Sequence, residues 1–147
     1  MGLVEDKLKN LGIKLAPPKP PVANYLGTKQ VGDLLYVSAR VSQLTGTVGK
    51  DVTEEEAKKA AHATMILLLS IIKKDIVDLD KIADVAKLQG FIRSSDKFTR
   101  QPQVLDGASE LLIELFGENG KHARTATGVN QLPYGATIQL DMILQLK

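Results

Sequence analysis

Arg124 stands in the run Lys121-His-Ala-Arg-Thr-Ala-Thr-Gly, where extended backbone puts His122, Arg124 and Ala126 on one face. A guanidinium next to a small residue on a strand can project its planar fork into a neighbouring cleft, where a carboxylate accepts two parallel hydrogen bonds. The same pattern also describes a surface arginine paired with an acid, which is the commoner outcome. His122 carries an imidazole, a side chain that can relay a proton, although strand histidines more often just cover an edge. His62 falls at the border of a helical stripe and reads as structural or solvated. Glu54, Glu55 and Glu56 sit where a helix begins, so they read as capping acids and not as a metal cluster. There is no cysteine, and the two histidines lie far apart in the chain. No metal site is expected from that set. Phosphate-cradling glycine patterns and a nucleophile elbow are also missing from the sequence.

The 147 residues suit one domain with its own core, and 44% hydrophobic with 24% charged residues is ordinary globular composition. A formal charge of +2, three Tyr, three Phe and no Trp argue against nucleic acid as a partner. The first residues, Met-Gly-Leu-Val-Glu-Asp-Lys, have no apolar signal region, and the apolar run from Met65 to Ile72 is far too short to span a bilayer. The expectation is a cytoplasmic enzyme or small-molecule binding protein without a membrane partner.

The elements that must position these residues are legible in outline. Val4, Leu8 and Leu11 predict a short, loosely attached helix over 3–11. The proline-rich Ala16 to Pro21 predicts an extended connector. Residues 1–24 are therefore set apart from a main domain at 25–147. Tyr25 to Val31 and Leu34 to Ser38 predict a hairpin around Gly32-Asp33, and residues 43–51 read as a loop. Thr53 and Glu56 make a capping box for a helix with the stripe Ala57, Ala60, Ala61, Thr64, Met65, Leu68 and Ile72. A strand is expected over Ala83 to Arg93, with Gly90 marking a bulge or a close backbone approach. A second helix starts near Pro102, buries Val104, Ala108, Leu111, Leu112 and Leu115, and stops at Gly117. Residues 121–129 follow as a strand, Leu132 to Gly135 as a turn, and the alternating Ala136 to Leu146 as the last strand. This ββ-α-β-α-ββ order predicts an α+β fold in which both long helices pack on one face of a mixed sheet, against Ile138, Leu140 and Met142. The other face would carry Thr137, Gln139 and Asp141, either solvated or buried in an oligomer.

Several of these pieces together resemble a known family. They are Gly32-Asp-Leu-Leu-Tyr-Val-Ser38, the loop Gly46 to Thr53, Gly90-Phe-Ile with Phe98, and Arg124 placed eight residues before Leu132-Pro133 and followed by Ile138-Gln-Leu-Asp141. From about Tyr25 onward the chain resembles the Rid (YjgF-like) reactive-intermediate deaminases. Gln101-Pro, Asp106-Gly-Ala-Ser and Phe116-Gly are similar to a branch with longer helices. The resemblance implies a chorismate-mutase-like fold, a homotrimer forming a barrel of inward-facing sheets, and three clefts between subunits. It also implies cofactor-free hydrolysis of enamines and imines such as 2-aminoacrylate to 2-keto acids and ammonia. By position, Arg124 would grip the substrate carboxylate, Tyr25 and Ser38 match the site tyrosine and serine, and Asp106 falls where asparagine is frequent. Backbone groups of Ala39 and Ala126 would line the pocket, with His122 beside them.

The sequence departs from the pattern at Gln139, where deaminating members carry a glutamate that orients the attacking water. A glutamine can hydrogen-bond a water but cannot take its proton. Asp141, about 7 Å further along the same strand face, and His122 are the alternative acceptors. Two functional classes follow: an imine deaminase, or a non-catalytic trimer that binds small carboxylates such as keto acids. RNA cleavage or translational inhibition, also attached to this family, finds little help in the charge or in two separated histidines.

Overall fold

The computed structural model describes residues 2–20 and 24–147. Pro21, at the end of the expected connector, lies outside the described residues. Residues 13–20 have no regular structure, as the proline content requires.

Eight elements follow along the chain: α1 (Leu3–Asn10), β1 (Thr28–Val31), β2 (Leu34–Val41), α2 (Glu54–Ile76), β3 (Ile82–Arg93), α3 (Gln101–Phe116), β4 (Ala123–Val129) and β5 (Ile138–Leu146), with short 3-10 turns between some of them. The strands form one sheet in the order β1-β2-β5-β3-β4. β5 is central and antiparallel to both β2 and β3, while β3 and β4 run parallel. That parallel pair is why α3 exists where it does, since parallel neighbours need a crossover to carry the chain back.

Alternation decides which side of the sheet is covered. Leu35 and Val37 of β2, Leu88 and Ile92 of β3, and Ile138, Leu140, Met142 and Leu144 of β5 point to the helices and are buried. The α2 stripe of Ala57, Ala60, Ala61, Thr64, Met65, Leu68 and Ile72 meets them, and α3 adds Val104, Ala108, Leu111, Leu112 and Leu115. The capping box forms as expected: Glu56 N–H donates to Thr53 Oγ1 at 3.1 Å and Thr53 N–H to Glu56 Oε1 at 3.0 Å. Two glycines mark close approaches. A Cβ on Gly107 would run into the Lys58 carbonyl, so α3 lies hard against α2. A Cβ on Gly90 would meet the Leu105 side chain, which makes Gly90 a contact point for α3; the bulges of β3 lie earlier, between Ile82 and Lys87.

Three sequence expectations change. The N-terminal helix is docked and not loose: Val4 and Leu8 are buried, Lys7 Nζ donates to the Leu115 carbonyl at 3.2 Å, and Glu5 pairs with Lys73 at 2.8 Å. Tyr25 precedes β1 instead of beginning it. Thr137 is fully buried, because the 43–51 loop folds over it and takes its hydroxyl proton at the Gly46 carbonyl, 3.0 Å away. The uncovered face is therefore carried by Tyr36, Gln89, Phe91, Gln139, Asp141 and Ile143, partly or wholly exposed. Among the described residues no helix is long and apolar enough to cross a membrane.

Candidate active site

Arg124 pairs in register with Leu88, so it points to the helix side of the sheet's outer strand. Its side chain is 25% exposed. Nη1 donates to Asp106 Oδ1 at 2.7 Å and to Ser109 Oγ at 3.1 Å, and Nη2 approaches the Pro102 carbonyl at 3.4 Å. Asp106 and Ser109 are three residues apart and share one face of α3. His122 completes the group, with Nε2 2.9 Å from Ser109 Oγ and Nδ1 2.6 Å from the Gly120 carbonyl. Ala126 follows Arg124 on the same strand face, half-buried against the core.

Tyr25, Ser38 and Ala39 gather at another corner. The β2 register slips between Val37 and Arg40, so Ser38 and Ala39 form a bulge against β5. Ser38 Oγ donates to the Leu26 carbonyl at 2.6 Å, and Ser38 N–H to the Gly27 carbonyl at 2.9 Å. That brings the bulge beside the segment containing Tyr25, which is 40% exposed. β1 pairs with β2 only as far as Val37, leaving β2 beyond it without an outer strand.

Gln139 lies on the uncovered face, paired with Val41 on one side and Phe91 on the other. Asp141 shares that face and accepts from Gln89 Nε2 at 3.4 Å. Burial raises the Asp141 carboxyl above its ordinary value; the Gln89 bond and the Lys87 charge oppose this without cancelling it. A carboxyl shifted upward is better matched to taking a proton near neutral pH.

The eight expected residues thus fall into separate groups. Arg124, Asp106, His122 and Ala126 stand together at β4 and α3, while Tyr25, Ser38 and Ala39 stand at the β2 bulge, with Gln139 nearby on the open face. Three strand spacings, about 14 Å, separate β2 from β4. Ser109 was not singled out by the sequence. Its signal was the pair of spacings, Asp106 with Ser109 on α3 and His122 with Arg124 at the entry to β4, which aim four polar side chains at one point.

The fold defines a class, and comparison with known proteins agrees with it. Residues 5–144 match the family model described as "YjgF/chorismate mutase-like, putative endoribonuclease", and the chain belongs to that family. Protein TCP17 of Trypanosoma cruzi is 38% identical over 152 residues, covering 99% of this chain and 95% of the relative. The crystal structure of Atu1372 from Agrobacterium tumefaciens, a protein of unknown function, is 37% identical with a TM-score of 0.92, over 99% of this chain and 93% of that one. A putative endoribonuclease from Shewanella oneidensis is 26% identical with a TM-score of 0.94, over 99% and 100% of the two chains.

Proposed function

We propose that this protein is an enamine/imine deaminase acting as a homotrimer with its sites between subunits. Its substrates are short-lived 2-aminoacrylate-like compounds, which it hydrolyses to 2-keto acids and ammonia without a cofactor. The observation that carries this reading is Arg124: a largely covered guanidinium on an outer strand, fixed at one end by Asp106 and Ser109. A substrate carboxylate held there would present its imine carbon to the cleft. That carbon is already electrophilic, so the protein has to orient the anion, position a water and move protons. The enamine first tautomerises to the imine, its methylene carbon gaining the proton that nitrogen loses; water then adds to the imine carbon, and the carbinolamine expels ammonia as the C–N bond breaks, leaving the keto acid.

The trimer brings the two groups of residues to one cleft, with Tyr25, Ser38 and the Ala39 backbone of one copy facing Arg124 and Ala126 of the next. The half-polar sheet face would then turn inward. Gln139 would hold the water, and Asp141, with its raised affinity for a proton, is the carboxyl on the same face that can accept one.

The test is 2-aminoacrylate generated in situ, with release of the keto acid followed for wild type, Arg124→Ala and Gln139→Glu. Acceleration by wild type, its loss in Arg124→Ala and a gain in Gln139→Glu are expected. Acceleration that survives Arg124→Ala would overturn the site.

Gln139 itself favours a second reading, a non-catalytic trimer binding keto acids through Arg124. No acceleration by wild type, with 2-oxobutanoate still bound, would establish it. Endoribonuclease activity, named in the description of the Shewanella protein, has less support here. His122 has both ring nitrogens engaged, and His62 lies on α2 in a groove with Lys58, Glu110 and Glu114.

A further inference from the structure

We infer that Ser109 and His122 are positioning residues that clamp the Arg124 guanidinium by its Nη1 end and leave its other edge for the ligand. The inference rests on the reading that Arg124 takes a carboxylate, but the clamp itself is argued from hydrogen-bond direction alone.

A carbonyl oxygen only accepts, so the 2.6 Å contact between Gly120 O and His122 Nδ1 puts the ring proton on Nδ1. In the neutral ring Nε2 is then an acceptor, and the only proton available to it across 2.9 Å is that of the Ser109 hydroxyl. With its proton committed to His122, Ser109 Oγ must accept from Arg124 Nη1 at 3.1 Å. The chain of bonds has one direction: Arg124 Nη1–H to Ser109 Oγ, Ser109 Oγ–H to His122 Nε2, and His122 Nδ1–H to Gly120 O.

Asp106 takes the second Nη1 proton at 2.7 Å. Both protons of Nη1 are therefore spent inside the protein. Nε has no partner among the described residues, and Nη2 makes only the long 3.4 Å approach to the Pro102 carbonyl. These two lie side by side and form the lateral fork that a carboxylate can bridge. The buried guanidinium Nε atoms left without partners among the described residues belong to Arg40 and Arg93, not to Arg124. Asp106 and Ser109 both accept from the same nitrogen, which restrains rotation about the Nε–Cζ bond. Ser109 is 7% exposed, which protects its two bonds from competing water.

The experiment separates this clamp from simple stability and from the ligand reading. The Arg124 Nη protons are followed by NMR in wild type, Ser109→Ala, His122→Asn and His122→Gln. Asn retains a donor to Gly120 but has no atom at the Nε2 position, whereas Gln places an acceptor oxygen there for Ser109. Distinct Nη1 and Nη2 signals are expected in wild type and His122→Gln, and averaged signals in Ser109→Ala and His122→Asn. Averaged signals in wild type, or distinct signals in all four proteins, would overturn the clamp. Binding of 2-oxobutanoate is measured in parallel and should weaken by about tenfold in Ser109→Ala and His122→Asn, the loss of one charge-assisted hydrogen bond's worth of order. If wild type leaves 2-oxobutanoate unbound while the Nη signals behave as expected, the carboxylate reading falls and the clamp stands.

Discussion

Arg124 and Gln139 stand on opposite faces of the same sheet, Arg124 in register with the buried Leu88 and Gln139 with the half-buried Phe91. One chain cannot turn both toward a single small molecule. If the two serve one cleft, they come from different copies. Arg124→Ala and Gln139→Ala should then each lose 2-aminoacrylate hydrolysis, while a co-expressed mixture recovers about a quarter of wild-type activity, the share of clefts in a random trimer that draw both intact residues. No recovery in a mixture shown to exchange subunits would remove the shared cleft.

Gly107 allows α3 to touch the Lys58 carbonyl of α2. Even one added methyl must push the helices apart. Gly107→Ala should therefore cost about 1–3 kcal/mol, read as a lowered urea midpoint at unchanged slope. A midpoint equal to wild type would mean that the helix pair is not held at this distance.

Asp141 gives a pH dependence of definite sign. Burial raises its folded value above the ordinary 3.8, so the folded state binds the proton more tightly than the unfolded state. Wild type then loses stability through this group as pH rises from below 3.8 through the raised value. Asp141→Asn escapes that loss. The variant should exceed wild type in stability at neutral pH, and the gap should close on acidification below 3.8. A gap that widens toward acid would reverse the sign and refute the assignment.

Asp80 ties α1 to the body of the protein. Its carboxylate accepts from Leu3 N–H at 2.8 Å and Val4 N–H at 3.0 Å, and the Val4 bond is the main reason its carboxyl is held below 3.8. A lowered folded value means that the contribution is present above 3.8 and is lost as pH falls through the folded value. Asp80→Asn should speed hydrogen exchange at Val4 to Asn10 at neutral pH while leaving β5 protected. Equal exchange in α1 of both proteins would show that Val4 and Leu8 dock the helix unaided.

Much of this was legible because local rules decided it. Ile138 to Leu146 alternate cleanly, Thr53 and Glu56 announce a helix start, and Pro102 and Gly117 bracket another. What failed depended on partners distant in sequence. Thr137 fits the polar row by parity but is buried by Gly46 and Ser42, more than ninety residues earlier. Ser109 looks like any small residue on a helix until β4 brings His122 and Arg124 beside it. The resemblance marks both Arg124 and Asp106 as site residues, but that they pair with each other follows only from the crossover geometry.

The strand order has a consequence for how the chain comes to be folded. β5 lies between β2 and β3, yet it is the last of the five strands to leave the ribosome. Before it emerges, the pairs β1-β2 and β3-β4 have no strand to join them, and each would have a bare edge where the middle strand belongs. A nascent chain stalled before Ile138 should expose both edges to chaperones and to other chains, and productive collapse has to wait until translation has passed Leu146.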